Sequence, residues 1–384
     1  MAAICGITAA GAVTLTPDRE DALYEIGDTA VIELKSDTPV TVSLSGDYAN
    51  YTDFAMPEGG HRFTIPCKTP GFIMVKATAG DDSAACGIGI SPDKILPDVD
   101  EPADFDEFWR KLIAEADNIP LDPQLEKLPD LSTEQYTAYR ISFANVGNTR
   151  IHGFLTIPNG AGPYPIYCSV PGAGPNDTKP LSKHNERVIT LVMNVFPFPL
   201  PTDRSEAEKL INKHYPDFQG YWTLNSPKLE DFFFYRAILG INRAFNYAAE
   251  LPQADRKHMV YWGSSQGGAM GVALAALNPH LTAMVLNVPS DYSKIIAGAH
   301  RSGDDALLAY LPYFSGVNFA KRIKIPFMTS AGMVDTSCVP FGVAKFYNQI
   351  PGEKSICFVP AMGHDFDPEY ERMTAEFIDR QLEK

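Results

Sequence analysis

Five residues late in the chain constrain its fold most strongly: residues 263–267 read Gly-Ser-Ser-Gln-Gly, an instance of Gly-x-Ser-x-Gly. An apolar run at 258–262 precedes them, and a run of small residues at 268–277 follows. A strand, a sharp turn and a helix in this order form a nucleophile elbow, whose glycines let strand and helix approach closely while the serine backbone is strained. The pattern predicts Ser265 as a nucleophile at a helix N-terminus, and acyl transfer to water as the reaction.

A serine hydroxyl needs a base to become a nucleophile, and the base needs an orienting carboxylate. In chains with this elbow the order is serine, acid, histidine, with each residue following a strand. A predicted strand at 325–331 leads to Asp335, and another at 355–359 leads to His364. The sequence therefore predicts a Ser265, Asp335 and His364 triad.

Other residues could fill two of these roles less well. Asp291 follows the strand before the one that leads to Asp335, so it is the alternative acid. Three further histidines compete with His364, but none of them follows the last predicted strand: His258, His280 and His300. We expect these three to be surface or packing residues.

Acyl transfer also needs two donors for the developing oxyanion. The backbone N–H of Gln266, the residue after the nucleophile, supplies the first. A glycine-rich loop at 171–176 follows a short buried strand at 166–170. We predict that the Ala173 N–H of this loop supplies the second donor, although an ordinary turn has the same composition.

Residues 1–95 are predicted to form a separate all-β domain. Short alternating runs are separated by turn residues at near-regular spacing, which is typical of a small immunoglobulin-like β-sandwich. The predicted strands lie at 13–16, 29–34, 40–44, 61–65 and 71–77. No catalytic constellation stands out here, so a structural or positioning role is favoured over carbohydrate binding.

Residues 96–135 are predicted to form a linker and an amphipathic helix, with Asp104 as its N-cap. Strands and helices then alternate over 136–384, which predicts an α/β domain with a mostly parallel sheet. The segment at 292–319 is interpreted as a cap over the site. Its aromatics, Tyr310 and Tyr313 among them, either stack on a sugar ring or pack in the core.

Composition excludes several classes of function. The 384 residues carry a formal net charge of −15, which argues against a nucleic-acid partner and against binding to an anionic membrane surface. There is no apolar run long enough to span a bilayer. The six cysteines form no C-x-x-C pair, so neither a zinc ribbon nor a thioredoxin site is predicted. Two states of the N-terminal cysteines are left as alternatives: a disulfide between Cys5 and Cys86, or buried free thiols, Cys67 included.

Together these motifs make residues 100–384 similar to the acetyl xylan esterase and cephalosporin C deacetylase family. The matching pieces lie at 103–109, 151–158, 263–268, 335–340 and 363–364. The sequence departs from the family pattern at the oxyanion loop, where it has Pro-Gly-Ala at 171–173. It also lacks an Arg-Gly-Gln motif, with residues 193–197 in its place, and it has Asp365 after the last histidine.

The resemblance implies an α/β-hydrolase esterase that removes acetyl groups from sugar hydroxyls such as those of xylan, with no metal or organic cofactor. Feruloyl or glucuronoyl esters are the alternative substrates. A serine peptidase is a less favoured alternative function. The complete triad argues against a non-catalytic carbohydrate-binding scaffold. The sequence does not decide between a monomer and a homo-oligomer. Residues 1–6 lack a basic segment, so we expect no intact signal peptide. The resemblance favours a periplasmic or secreted protein over a cytoplasmic one.

Overall fold

A computed structural model describes residues 13–46, 48–174, 185–216, 229, 232–291 and 305–383. The chain divides into two compact units. The first contains residues 1–98 together with 329–348 and 355–374, and the second contains 99–328, 349–354 and 375–384. The first unit therefore includes both Asp335 and His364, far along the chain from the N-terminal strands.

The N-terminal part of the first unit is all β, as predicted. Its strands are β1 (Val13–Pro17), β2 (Leu23–Tyr24), β3 (Thr29–Ser36), β4 (Val40–Ser45), β5 (Thr52–Met56), β6 (Gly59–Pro66), β7 (Gly71–Ala79) and β8 (Asp82–Ile90). They form a three-stranded sheet, β1-β3-β6, and a five-stranded sheet, β2-β8-β7-β4-β5. Residues of both sheets contribute to one apolar core, so we call this region the N-terminal sandwich.

The sequence pattern did not predict three of these strands. β8 contains Gly87 and Gly89, which have a low preference for strands, and its residues 83–87 are all small, so no hydrophobic alternation stands out. It pairs antiparallel with β7 along its whole length, and the pairing compensates for its weak intrinsic preference. β2 has only two residues, and β5 is largely exposed, so neither shows a clear hydrophobic alternation.

The remaining strands belong to one nine-stranded sheet. They are β9 (Gln124–Lys127), β10 (Tyr136–Asn145), β11 (Thr149–Pro158), β12 (Tyr164–Val170), β13 (Ile189–Met193), β14 (Ala254–Ser264), β15 (Ala283–Asn287), β16 (Phe327–Gly332) and β17 (Lys354–Val359). The helices in the described residues are α1 (Phe105–Asp117), α2 (Arg204–His214), α3 (Phe233–Ala249), α4 (Gln266–Leu277), α5 (Asp305–Phe314), α6 (Gly316–Ala320), α7 (Pro340–Gln349) and α8 (Pro368–Leu382). Among these residues, no helix is both long and apolar enough to cross a membrane.

The sheet order is β17-β16-β15-β14-β12-β13-β11-β10-β9. Strands β13, β12, β14 and β15 pair in parallel, and β9 to β11 form an antiparallel extension that includes the predicted hairpin. From β12 the chain moves to one side to form β13, and later returns to the other side as β14. Loops that follow such neighbouring strands diverge and leave a crevice, which is where α/β folds place their sites.

Helix α1 has the predicted place, with Asp104 at its N-cap position. Asp104 makes no side-chain capping bond; one of its carboxylate oxygens instead accepts a hydrogen bond from the Tyr313 hydroxyl at 2.6 Å. Tyr313 also packs on Phe108, with ring centroids 4.1 Å apart. Of the predicted cap, residues 292–304 lie outside the described residues, and Tyr313 contributes to packing within the second unit.

Candidate active site

The Ser265 backbone has the strained geometry that the elbow requires. Ser265 has φ 54° and ψ −117°, a conformation that is unfavourable for any residue with a Cβ. Three backbone hydrogen bonds hold it there. The Ser265 N–H donates to the Asn287 carbonyl at 3.0 Å, and the Ser265 carbonyl accepts from Ser290 at 3.0 Å and Ala269 at 3.1 Å. The loop after β15 therefore supports the turn after β14.

Glycines allow the close contacts around this turn. A Cβ at Gly267 would overlap the Val170 carbonyl oxygen at the end of β12, and one at Gly271 would overlap the Tyr261 ring. A Cβ at Gly263 would lie 2.6 Å from the Gly267 carbonyl oxygen. The Tyr261 hydroxyl donates to that same carbonyl oxygen at 2.5 Å, which ties the strand to the helix that follows it.

Both predicted oxyanion donors lie near this turn. Gln266 is buried and begins α4 directly after Ser265. Ala173 lies in the loop after β12, and β12 pairs with β14 up to Val170 and Gly263. The strand order thus brings the glycine-rich loop beside the elbow. The assignment of Ala173 and Gln266 as donors stays a prediction.

Asp335 and His364 form a hydrogen-bonded pair. Asp335 is fully buried, and its Oδ2 lies 2.7 Å from His364 Nδ1. Its Oδ1 accepts hydrogen bonds from the backbone N–H groups of Ser337 at 2.6 Å and Cys338 at 2.9 Å. An ionised carboxylate can only accept, so in the neutral imidazole Nδ1 carries the proton and Nε2 keeps its lone pair. This is the tautomer that a general base needs.

The loops that carry this pair are bonded to each other. The Met333 N–H donates to the Val359 carbonyl at 2.9 Å, and the Val334 N–H donates to the Met362 carbonyl at 3.1 Å. A Cβ at Gly332 would overlap the carbonyl oxygens of Gly363 and Met362, so this close approach requires glycine. In contrast, nothing lies within 4 Å of a Cβ at Gly363, which therefore fills no steric need.

The sequence model of the acetyl xylan esterase (AXE1) family matches residues 94–381. The chain belongs to this family. It is therefore a carboxylic ester hydrolase, and the α/β-hydrolase fold predicted from the sequence is confirmed. Acetyl esterase Axe7A of Xylanibacter ruminicola is 27% identical over 379 residues, which cover 91% of this chain and 85% of that protein.

Two solved structures share the fold of the esterase. Acetyl xylan esterase 1 from Thermoanaerobacterium sp. JW/SL YS485 is 22% identical with a TM-score of 0.64, and covers 75% of this chain and 96% of its own. The acetyl xylan esterase from Paenibacillus sp. R4 is also 22% identical, with a TM-score of 0.63, and covers 76% and 98%. The family match begins at residue 94, after the last strand of the sandwich.

The environment of His364 makes the imidazole of the esterase more basic. The hydrogen bond with Asp335 raises the pKa of His364, a hydrogen bond with Cys338 raises it further, and burial opposes both. Cys338 is buried and follows Asp335 by three residues. Apart from its place in a family motif, no signal in the sequence marks this cysteine.

Asp335, Cys338 and His364 offer donor atoms within 4.8 Å of one another, a spacing that a metal ion could also use. However, both carboxylate oxygens of Asp335 already accept hydrogen bonds within the pair of loops. A role of this cluster in proton transfer stays a prediction.

The competing histidines have other surroundings. His258 Nδ1 lies 2.7 Å from a carboxylate oxygen of Asp255, its neighbour three residues earlier, in a local pair at the start of β14. His280 is half-buried in the turn between α4 and β15. His300 lies outside the described residues. Asp291 is half-buried at the end of the described segment after β15.

Proposed function

We propose that this esterase removes acetyl groups from the sugar hydroxyls of xylan or xylo-oligosaccharides, with Ser265, Asp335 and His364 as its catalytic triad. The observation that carries the proposal is the hydrogen bond between the buried Asp335 carboxylate and His364 Nδ1, together with the strained backbone at Ser265. Together they supply an oriented base and the strained turn at the nucleophile that acyl transfer of this kind uses.

The reaction begins when His364 Nε2 takes the proton of the Ser265 hydroxyl as Oγ attacks the ester carbonyl carbon. The Ala173 and Gln266 N–H groups stabilise the oxyanion of the tetrahedral intermediate. The C–O bond to the sugar then breaks, the imidazolium protonates the departing sugar oxygen, and an acetyl-enzyme remains. Water attacks this ester with His364 again as base, which releases acetate and restores Ser265. Asp335 holds the tautomer and stabilises the imidazolium in both halves.

Acetyl esters are favoured over bulkier acyl groups because the family is one of acetyl xylan esterases and the similar protein of Xylanibacter ruminicola is an acetyl esterase. The departures at residues 171–173 and 193–197 place different side chains where the family has its own motifs. Feruloyl or glucuronoyl esters are therefore the alternatives that an acyl series must exclude. A serine peptidase would instead cleave aminoacyl amides.

The proposal is tested by acetate release from acetylated xylo-oligosaccharides, beside a p-nitrophenyl ester series from acetyl to octanoyl. We expect activity confined to acetyl and propionyl, with acetate released from the sugar. Ser265→Ala should lower kcat by about 10⁴-fold or more, because the nucleophile is lost. Ser264→Ala is the matched control and should keep most of the activity. Activity that peaks at longer acyl chains, or a Ser265→Ala variant with more than about a tenth of the activity, would contradict the proposal.

We further propose that the enzyme acts in the periplasm or outside the cell, where polymeric xylan is found, and that its substrate is a neutral oligosaccharide ester. The acidic net charge of −15 is compatible with such a substrate. Fractionation of the native host separates this compartment from the cytoplasm. Size-exclusion chromatography with light scattering decides whether the chain forms a homo-oligomer.

A further inference from the structure

The loop that carries Asp335 packs into the core of the N-terminal sandwich. Met333 is fully buried, and it belongs to the same apolar cluster as the inward side chains of the sandwich, together with Val339 and Ala344. Gly87 and Gly89 of β8 make room for it, since a Cβ at Gly87 would overlap Met333. The sandwich is therefore in direct contact with the segment two residues before the catalytic acid.

Tyr48 donates a hydrogen bond to this segment from 285 positions earlier in the chain. Its hydroxyl lies 2.5 Å from the Met333 carbonyl oxygen, and its side chain is 8% exposed. The Tyr48 ring packs edge-on against Phe341, with centroids 6.0 Å apart. Since the Met333 N–H donates to Val359, both backbone polar groups of Met333 are hydrogen-bonded.

The sandwich also bonds to the loop that carries His364. The Gly87 N–H donates to the Pro360 carbonyl oxygen at 2.8 Å, directly after β17 ends. Phe72 of the sandwich packs against Phe358 of β17, with centroids 5.2 Å apart. The sandwich is thus hydrogen-bonded to both the acid loop and the histidine loop.

We propose that Tyr48 is a positioning residue for the catalytic pair: its hydroxyl fixes the Met333 peptide and thereby sets the hydrogen bond between Asp335 and His364. This inference rests on the proposed function. Only two peptide bonds separate Met333 from Asp335. Met333 leads directly into Val334 and Asp335, so a movement of the Met333 peptide displaces the buried carboxylate, and the hydrogen bond to the imidazole depends steeply on distance.

Two features make Tyr48 suited to this role. Its backbone has φ 62°, a strained value for a residue with a side chain, and such strain persists only where the surroundings fix it. Burial above all, then the nearby Tyr51 and the carboxylate of Asp335, raise the pKa of Tyr48 far above its usual range, so the phenol stays a donor at any pH at which the enzyme works.

The test compares Tyr48→Phe with Tyr51→Phe, which removes a hydroxyl from the same domain. Tyr51 is 37% exposed, and its hydroxyl hydrogen-bonds to the Met74 sulfur at 3.5 Å. With p-nitrophenyl acetate, we expect kcat per titrated active site to fall about ten-fold in Tyr48→Phe, the worth of one hydrogen bond, with KM nearly unchanged. Tyr51→Phe should match the wild type.

The pKa of His364 provides a readout that a purely structural role would not change. Asp335 and Cys338 are the groups that raise this pKa, so a weaker Asp335 bond should lower it. We expect NMR titration of the imidazole, and the acid limb of the kcat/KM profile, to shift to lower pH in Tyr48→Phe. An unchanged His364 pKa and an unchanged kcat per active site would overturn the inference, even if the melting temperature falls.

A second pair of variants tests the same contact without changing Tyr48, in case Tyr48→Phe does not fold. Gly87→Ala forces a Cβ against Met333 without removing a hydroxyl, whereas Gly60→Ala places one where nothing lies within 4 Å. Only Gly87→Ala should reproduce the lowered His364 pKa. Because the assays use p-nitrophenyl acetate and NMR, they do not depend on the natural sugar. If acetylated xylo-oligosaccharides are not hydrolysed, the proposed substrate fails but this inference stands.

Discussion

The turn around Ser265 and the Asp335–His364 pair are built by different means. At the turn, the Tyr261 hydroxyl bonds to Gly267, only six positions away, and the supporting loop follows the next strand. At the pair, the two side chains are 29 positions apart, and Tyr48 bonds across 285. The nucleophile therefore forms with its own strand, turn and helix. The acid loop also makes a contact that closes a loop of 285 positions, and closing so long a loop costs more entropy.

The largest expected effect comes from replacing the acid of the pair. Asp335→Asn should lower kcat by about 10³–10⁴-fold, because an amide in place of Oδ2 favours the wrong imidazole tautomer. Loss of the carboxylate also removes the main cause that raises the His364 pKa, so the acid limb of the rate profile should move to lower pH. Stopped-flow or steady-state assays over pH 5–10 test both.

Asp365→Asn is the control for this change. Asp365 is exposed and adjacent to His364 in sequence, and one of its carboxylate oxygens accepts from the Phe366 N–H. We expect its kcat to stay within about two-fold of the wild type, as is usual for an exposed charge. If both variants lose activity equally, the assignment of Asp335 as the catalytic acid is contradicted.

Replacing the two glycines in the loops that carry the pair should affect the stability of the protein differently. Gly332→Ala forces a Cβ onto the carbonyl oxygens of Met362 and Gly363, and we expect the free energy of unfolding to fall by about 1–3 kcal/mol. Gly363→Ala meets nothing within 4 Å and should stay within about 0.5 kcal/mol of the wild type. Urea unfolding with the m-value compared between variants measures this. Equal losses would show that the two loops are not held in close backbone contact.

The smallest effect concerns a histidine outside both regions. Burial, followed by the charge of Arg150, lowers the pKa of His152 to about 4. The unfolded chain therefore binds more protons than the folded chain between about pH 4 and 6.5, so this histidine contributes stability that is lost as pH falls through that window. The pKa of His364 is raised, so its contribution to stability is instead lost as pH rises above about 6.5.

His152→Gln isolates this contribution. In the variant, the drop in Tm between pH 7 and pH 4.5 should shrink by about 2–4 °C relative to the wild type. Calorimetry at matched ionic strength measures it, and activity at pH 8 should change little. A drop of unchanged size would mean that His152 titrates normally in the folded protein.

The same contrast explains which features the sequence could predict. The turn, its strand and its helix were evident because small residues, an apolar strand and Gly-x-Ser-x-Gly lie within twenty consecutive positions. Asp335 and His364 followed from strand order. Tyr48 could not be found, because no local pattern marks a tyrosine whose partner lies in another part of the chain. β8 was missed since its Gly87 and Gly89 suit contact with Met333 rather than strand propensity.

The shared core of the sandwich and the acid loop also bears on how such enzymes can be recombined. The family match, residues 94–381, looks like a cassette that could be moved alone into another host protein. Its Met333, Val339 and Phe341 would then emerge as an uncovered apolar surface, because their neighbours here are Tyr48, Ile88 and the rest of the sandwich. A graft that keeps this chemistry must carry β1–β8 with it, and a shuffled library should place its crossover points outside residues 13–98.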